Sequence, residues 1–221
     1  MKNLLTLILL ALVLNGFSQM VDEETKRKFT FGLDVFTDMW QDIPSSLDPK
    51  TLNPGVNLFG SYNYMFGNSN VSFSPGIGLS VHNLYSESLL VTGADTTFFH
   101  MIGPDTSFKK TKLTTTYLDI PIEIRYKSKG EFRIAVGFKF GFLMKAQNKY
   151  KGDDFINGTT DQVIIKQAKM NFIEKNRYGF TGRIGYKWLN LWGYYQLSSL
   201  FTEGNGAQMY PISLGITLIP F

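Results

Sequence analysis

Cysteine is absent from the 221 residues. That excludes a disulfide framework, a thiolate metal site, a cysteine nucleophile and a lipid-modified cysteine at a processed N-terminus. Histidine is almost absent as well. His82 and His100 are the only two, too few and too far apart in sequence to suggest a metal cluster without carboxylate help, so neither a metal nor a cofactor is expected. Charge of one sign is not concentrated either: the formal net charge is +4 and no Lys/Arg block exceeds a few residues, so the electrostatic footprint of a nucleic-acid binder is missing. Long apolar runs are also lacking. The longest, Leu4 to Leu14, falls well short of the roughly 20 residues that a spanning helix needs. With Lys2 before it and Gly16-Phe17-Ser18 after it, the run has the charged, apolar and small-residue parts of an export signal. Residues 1–18 are expected to be a cleaved signal peptide, with the mature chain starting near Gln19. Residues 19–28 then form a short charged lead-in.

What the chain does have is aromatics, at 15 %, with Phe 19, Tyr 11 and Gly 21, a β-rich composition. From Phe29 onward every second residue tends to be apolar, the period of a strand with two unlike faces. In Val71 to Asn83, Phe73, Pro75, Ile77, Leu79 and Val81 oppose Ser72, Ser74, Gly76, Gly78, Ser80 and His82. Leu118, Ile120, Ile122, Ile124 and Tyr126 oppose Tyr117, Asp119, Pro121, Glu123 and Arg125. Phe132 to Gly141, Tyr178 to Trp188 and Tyr210 to Leu218 repeat the pattern, and Phe29–Trp40, Val56–Phe66 and Leu191–Phe201 follow it less regularly. Eight strands result.

Several of these runs reach the roughly 9–11 residues that a tilted strand needs to cross a bilayer, against about 5–6 in soluble proteins. Their connections alternate. Short turns near Gly67–Asn70, Lys127–Gly130 and Leu189–Asn190 alternate with long segments at Gln41–Asn53, Leu84–Lys112, Ala146–Lys175 and Thr202–Ala207, as periplasmic turns and external loops do in outer-membrane barrels. In that orientation Tyr64, Phe66, Phe73, Tyr126, Phe132, Tyr186 and Trp188 mark one membrane interface, and Trp40, Tyr117, Tyr178 and Tyr210 the other. The expected fold is all-β: a transmembrane, up-and-down antiparallel β-barrel of about eight strands over residues 29–221, in the bacterial outer membrane. Phe221 follows Pro220 and is out of phase with Leu218, so the terminal insertion signal lies a residue earlier or the chain end bends away.

The segment Tyr117-Leu118-Asp119-Ile120-Pro121-Ile122-Glu123-Ile124, placed after a long loop, resembles the Tyr-Leu-Glu/Asp-Ile-Pro motif of the PorT-like outer-membrane β-barrel family. The Gly-rich third strand, the Phe132–Phe140 strand and the Tyr178-Gly179 start of the sixth are similar to that family in order and spacing, so the resemblance spans about Phe29 to Leu218. It implies a barrel. One characterised member belongs to machinery that exports proteins across the outer membrane, a role the resemblance does not transfer by itself.

A barrel of about eight strands has a lumen that side chains fill. Asp34, Asp119, Glu123, Arg125, Arg133, Lys139, Arg183 and Lys187 are expected to point into it, with both signs present, either as a self-paired polar core or as a proton or ion relay. Ser80 and His82 sit near the outer end of the third strand, as the Ser/His pair of barrel lipid A deacylases does at the rim. In this register, however, both face inward with no evident carboxylate orienter, and they are expected to be polar filler in a non-enzymatic protein. The long loops carry Lys109, Lys110, Lys112, Lys145, Lys149, Lys151, Lys166, Lys169 and Lys175, placed to meet outer-membrane lipids and lipopolysaccharide phosphate. Segments this long imply strands that continue beyond the membrane before they turn. The functional expectation is a structural or interaction barrel that docks an envelope partner through its loops. The alternative is a component of a secretion apparatus, followed by a small pore or a lipid-modifying enzyme.

Overall fold

Strands with one apolar and one polar face leave their ladder edges unpaired unless they close, and the computed structural model closes them. It describes residues 22–103, 106–154, 157–168 and 170–220; the expected signal peptide, Lys169 and Phe221 lie outside the described residues. Helix α1 (Glu23–Lys28) is the first element of the described residues, its N-terminus capped by Asp22, whose carboxylate accepts the Thr25 N–H at 2.6 Å. That bond holds the Asp22 carboxyl below its usual range. The strands follow as β1 (Phe29–Gln41), β2 (Pro54–Tyr62), β3 (Tyr64–Met65), β4 (Val71–Ser86), β5 (Ser88–Thr92), β6 (Thr97–Met101), β7 (Phe108–Lys127), β8 (Phe132–Asp154), β9 (Thr159–Ala168), β10 (Asn176–Tyr186), β11 (Leu189–Gln196) and β12 (Tyr210–Leu218).

Eight of these form a ring of antiparallel neighbours: β1, β2, β4, β7, β8, β10, β11 and β12, with β12 returning to β1 through Leu33↔Leu218 to Gln41↔Tyr210. Closure leaves no ladder edge in the wall, where an unpaired backbone group in hydrocarbon would cost several kcal/mol. Strand β3 pairs with β4 beyond the kink at Asn63, while β5–β6 and β9 lie outside the ring.

The two faces separate by solvent. Along β4, Ser72, Ser74, Ser80 and His82 are buried inside, while Phe73, Ile77 and Leu79 are exposed outside. The outward belt continues through Leu58, Ile120, Ile124, Val136, Phe140, Phe180, Ile184, Leu191 and Leu214. At the turn end Tyr64, Phe66, Phe73, Tyr126, Phe132, Tyr186 and Trp188 are all exposed, forming the expected aromatic girdle. At the loop end the expectation fails for two residues. Trp40 and Tyr117 are buried, because each shares the inward phase of its strand; Tyr178 remains exposed.

Beyond the apolar belt the wall keeps rising on one side. The β7–β8 ladder runs from Lys127↔Arg133 to Phe108↔Gly152, and β4 stays paired with β7 as far as Ser86↔Thr111. Outward positions there change from Leu118 and Ile120 to Thr116, Thr114 and Lys112, which marks the membrane surface. A register shift between Thr116 and Tyr117 leaves Met144 as an extra residue on β8. This β-bulge exchanges the strand's faces, so Ala146 and Tyr150 are buried above it where Lys139 and Gly141 are buried below it.

The loops that cross the top bury an apolar cluster of their own. Leu47, Leu90, Phe99, Met170, Ile173, Phe201 and Met209 pack on Trp40, Leu84 and Leu113 from the strand ends, with the Phe99 and Phe201 rings edge to face at 5.9 Å. The fold locates the membrane band, which sets an expectation. Val136→Arg, on the lipid face of β8, should lower stability against urea unfolding in bilayers by about 2–4 kcal/mol. Thr114→Arg, above the band, should change it by no more than about 0.5 kcal/mol.

Candidate functional site

Charges inside a membrane barrel must be matched to be tolerated. Four carboxylates, Asp34, Asp38, Asp119 and Glu123, share this lumen with four cations, Arg125, Lys139, Arg177 and Arg183, all inward-facing. They form two tiers.

The lower tier is centred on Arg183 of β10. Its guanidinium reaches Asp34 on β1 at 2.9 Å, Glu123 on β7, and the Thr217 hydroxyl on β12 at 3.2 Å. Asp34 also accepts from Asn57 at 2.7 Å and from Thr217 at 2.6 Å. Arg125 completes the tier, donating to Glu123 and to Ser61 at 2.7 Å each and to Asn63 at 3.2 Å. One guanidinium thus connects strands on opposite sides of the ring. The Phe59 ring lies under both arginines, 4.4 Å from Arg183 and 5.9 Å from Arg125.

The upper tier is centred on Arg177, which holds both Asp119 oxygens at 2.8 Å and the Ser80 hydroxyl at 2.5 Å. The Tyr117 ring lies beneath its guanidinium at 4.0 Å, and Tyr194 is 5.6 Å away. Gly141 makes the approach possible, since a Cβ there would stand 2.5 Å from Asp119 Oδ1 and 2.7 Å from Arg177 Nε. Lys139 lies 3.4 Å from Asp119 and 3.9 Å above the Tyr194 ring. Across the lumen, Asp38 accepts from Ser213 at 2.6 Å and contacts His82 Nδ1 at 2.9 Å. His82 Nε2, Lys139 Nζ and the Tyr194 hydroxyl are buried without a hydrogen-bond partner.

Of the eight residues expected in the lumen, the structure brings Asp34, Glu123, Arg125 and Arg183 into the lower tier and Asp119 and Lys139 into the upper one. Arg133 faces inward at the turn-end mouth, 3.6 Å from Glu131. Lys187 does not enter. It is the first of two turn residues joining β10 to β11, with φ 53 and an exposed side chain over the Tyr186 ring. The tight turn is therefore Lys187-Trp188, two residues earlier than expected, and strand alternation stops applying at Tyr186.

Sequence reasoning missed Arg177 and Asp38. Arg177 sits at the loop-side start of β10, one residue before the aromatic that marked the strand. Asp38 shares the inward phase of Asp34, a signal within reach. Asp38 is also the carboxylate beside His82 that the sequence did not reveal. These groups still make no open triad: the Ser80 hydroxyl is bound by Arg177, and Ser80, His82 and Asp38 are buried beneath the apolar cap.

A closed antiparallel ring with a lipid-facing apolar belt, aromatic girdle and paired polar lumen defines an outer-membrane β-barrel. The chain belongs to the family described as outer membrane protein beta-barrel domain, which it matches over residues 17–202; its place is the bacterial outer membrane. No curated protein matches the chain.

Because Arg183 neutralises two buried carboxylates, Arg183→Met should destabilise the barrel by about 3–5 kcal/mol in urea titrations. Adding Asp34→Asn, which leaves Glu123 paired with Arg125, should recover most of that loss, which a relay role for Arg183 would not require.

Proposed function

We propose that this barrel is a non-enzymatic interaction protein of the outer membrane, docking an envelope partner through the sheet that rises above its external rim. The observation carrying this reading is strand β9. It pairs with β8 from Gln147↔Ala168 to Asp154↔Thr159 and ends the sheet order, so its other edge is open among the described residues. Nearly all of β9 is exposed, including Ile164 at 54 %. Open edges are a liability that proteins usually shorten, cover or charge. One held away from the barrel by two long strands is built for strand addition by a partner, with backbone hydrogen bonds supplying affinity. Lys149 and Lys151 on β8 and Lys166 on β9 give the same sheet a positive character, suited to an acidic partner or to lipopolysaccharide phosphate.

The lumen supports a role without transport or catalysis. Phe36, Trp192 and Tyr194 pack together inside the ring, and the carboxylates and guanidiniums of the lumen are engaged with one another. A secretion-apparatus role is the second reading, favoured by the PorT-like motif. In that motif Tyr117 and Asp119 both hold Arg177, and Pro121 falls where the β4–β7 register is interrupted between Pro75↔Ile122 and Gly78↔Asp119.

A photo-crosslinking residue at Ile164 in the native outer membrane should give a discrete adduct, and Ile165→Pro should abolish it. A probe at Leu191 on the lipid face should give none. Absence of any adduct at Ile164 would remove the docking reading. Deletion of the chain distinguishes the second reading, for which secreted cargo should be lost.

A further inference from the structure

The turn-end mouth, which faces the periplasm in this class of barrel, opens into a cavity of about 440 Å³. That volume lies within the range of about 300–1,000 Å³ usual for ligand sites. Its rim carries Arg27, Lys127, Lys129 and Arg133, and among the described residues the only carboxylate in its lining is Glu131. Glu131 lies 3.2 Å from Lys127 and 3.6 Å from Arg133, so the rim keeps a surplus of positive charge. Arg125 and Arg183 at the deep end add none, because Glu123 and Asp34 neutralise them.

Two further observations point to an occupant. Asn190, only 1 % exposed, lines the cavity with Nδ2 lacking a hydrogen-bond partner, and Arg133 Nε is buried and equally unpartnered. Both atoms are donors, so the group that satisfies them is an acceptor. The basic arm is also fixed in place. Asn63 donates to the Lys28 carbonyl at 2.6 Å through its backbone and to the Arg27 carbonyl at 3.0 Å through its side chain, which pins α1 to the barrel wall. Between the cations lies an apolar wall that includes Met65 and Ile219, a surface that an inorganic anion would leave uncovered.

We propose that the periplasmic mouth is a docking site for a short acidic peptide segment of a periplasmic partner, its carboxylates meeting the rim cations, Arg133 and Asn190 while an apolar side chain covers the wall. This site is separate from the external β9 edge and does not depend on it.

The test uses the full-length protein in detergent micelles and fluorescence anisotropy of a labelled peptide of alternating Glu and Leu, with a Lys/Leu peptide as control. The Glu/Leu peptide should bind saturably and more weakly as salt rises, and the Lys/Leu peptide should not bind. Affinity should fall about tenfold in Lys129→Gln/Arg133→Gln and also in Lys127→Gln/Lys129→Gln, which alters only exposed side chains at the end of β7 and in the turn after it. Lys110→Gln at the opposite end should leave it unchanged. Retained heat-dependent gel mobility verifies that each variant is folded. Absence of binding, or binding that the two double variants leave intact, overturns the site. Binding of pyrophosphate without binding of the peptide overturns the peptide in favour of a small anion.

Discussion

Hydrocarbon offers no hydrogen-bond partner, so the wall must satisfy every backbone group from within itself. The β1–β12 pairing that completes this requirement also fixes nearly everything else. Eight strands enclose a space that side chains fill. That space is walled from water by lipid, so its polar residues must answer one another. Arg183 and Arg177 are long enough to do so across the ring, and each meets carboxylates contributed by other strands. The two tiers of charge are therefore a consequence of closure at this strand number.

Much of this was legible in the chain because lipid and lumen impose opposite demands on alternate residues. The inward phase of β7 placed Asp119, Glu123 and Arg125, and that of β10 placed Arg183, before any contact was known. Legibility ended where alternation did. Lys187 was carried inward by extending the period through a two-residue turn. The continuation of β8 past Met144 was hidden because the bulge exchanges its faces. Trp40 and Tyr117 lie at interface height, but phase outranks height, and both turn inward. The Asp38–His82 contact joins residues 44 apart in sequence, a pairing that only the strand register reveals.

The two mouths are unlike. The external one is sealed by apolar loop residues and flanked by a one-sided sheet; the periplasmic one is open, basic and fitted with unsatisfied donors. Each end answers the compartment it faces, and the paired lumen between them separates the two surfaces.

The apolar cap bears on how the protein stays where it is put. Its residues come from chain segments that must traverse the bilayer as loose, hydrated loops before they can gather around Phe99 and Phe201. Once gathered, they form a packed apolar knob over the end of the ring. Withdrawal would require that knob to come apart first, so assembly on the far side ratchets insertion in one direction.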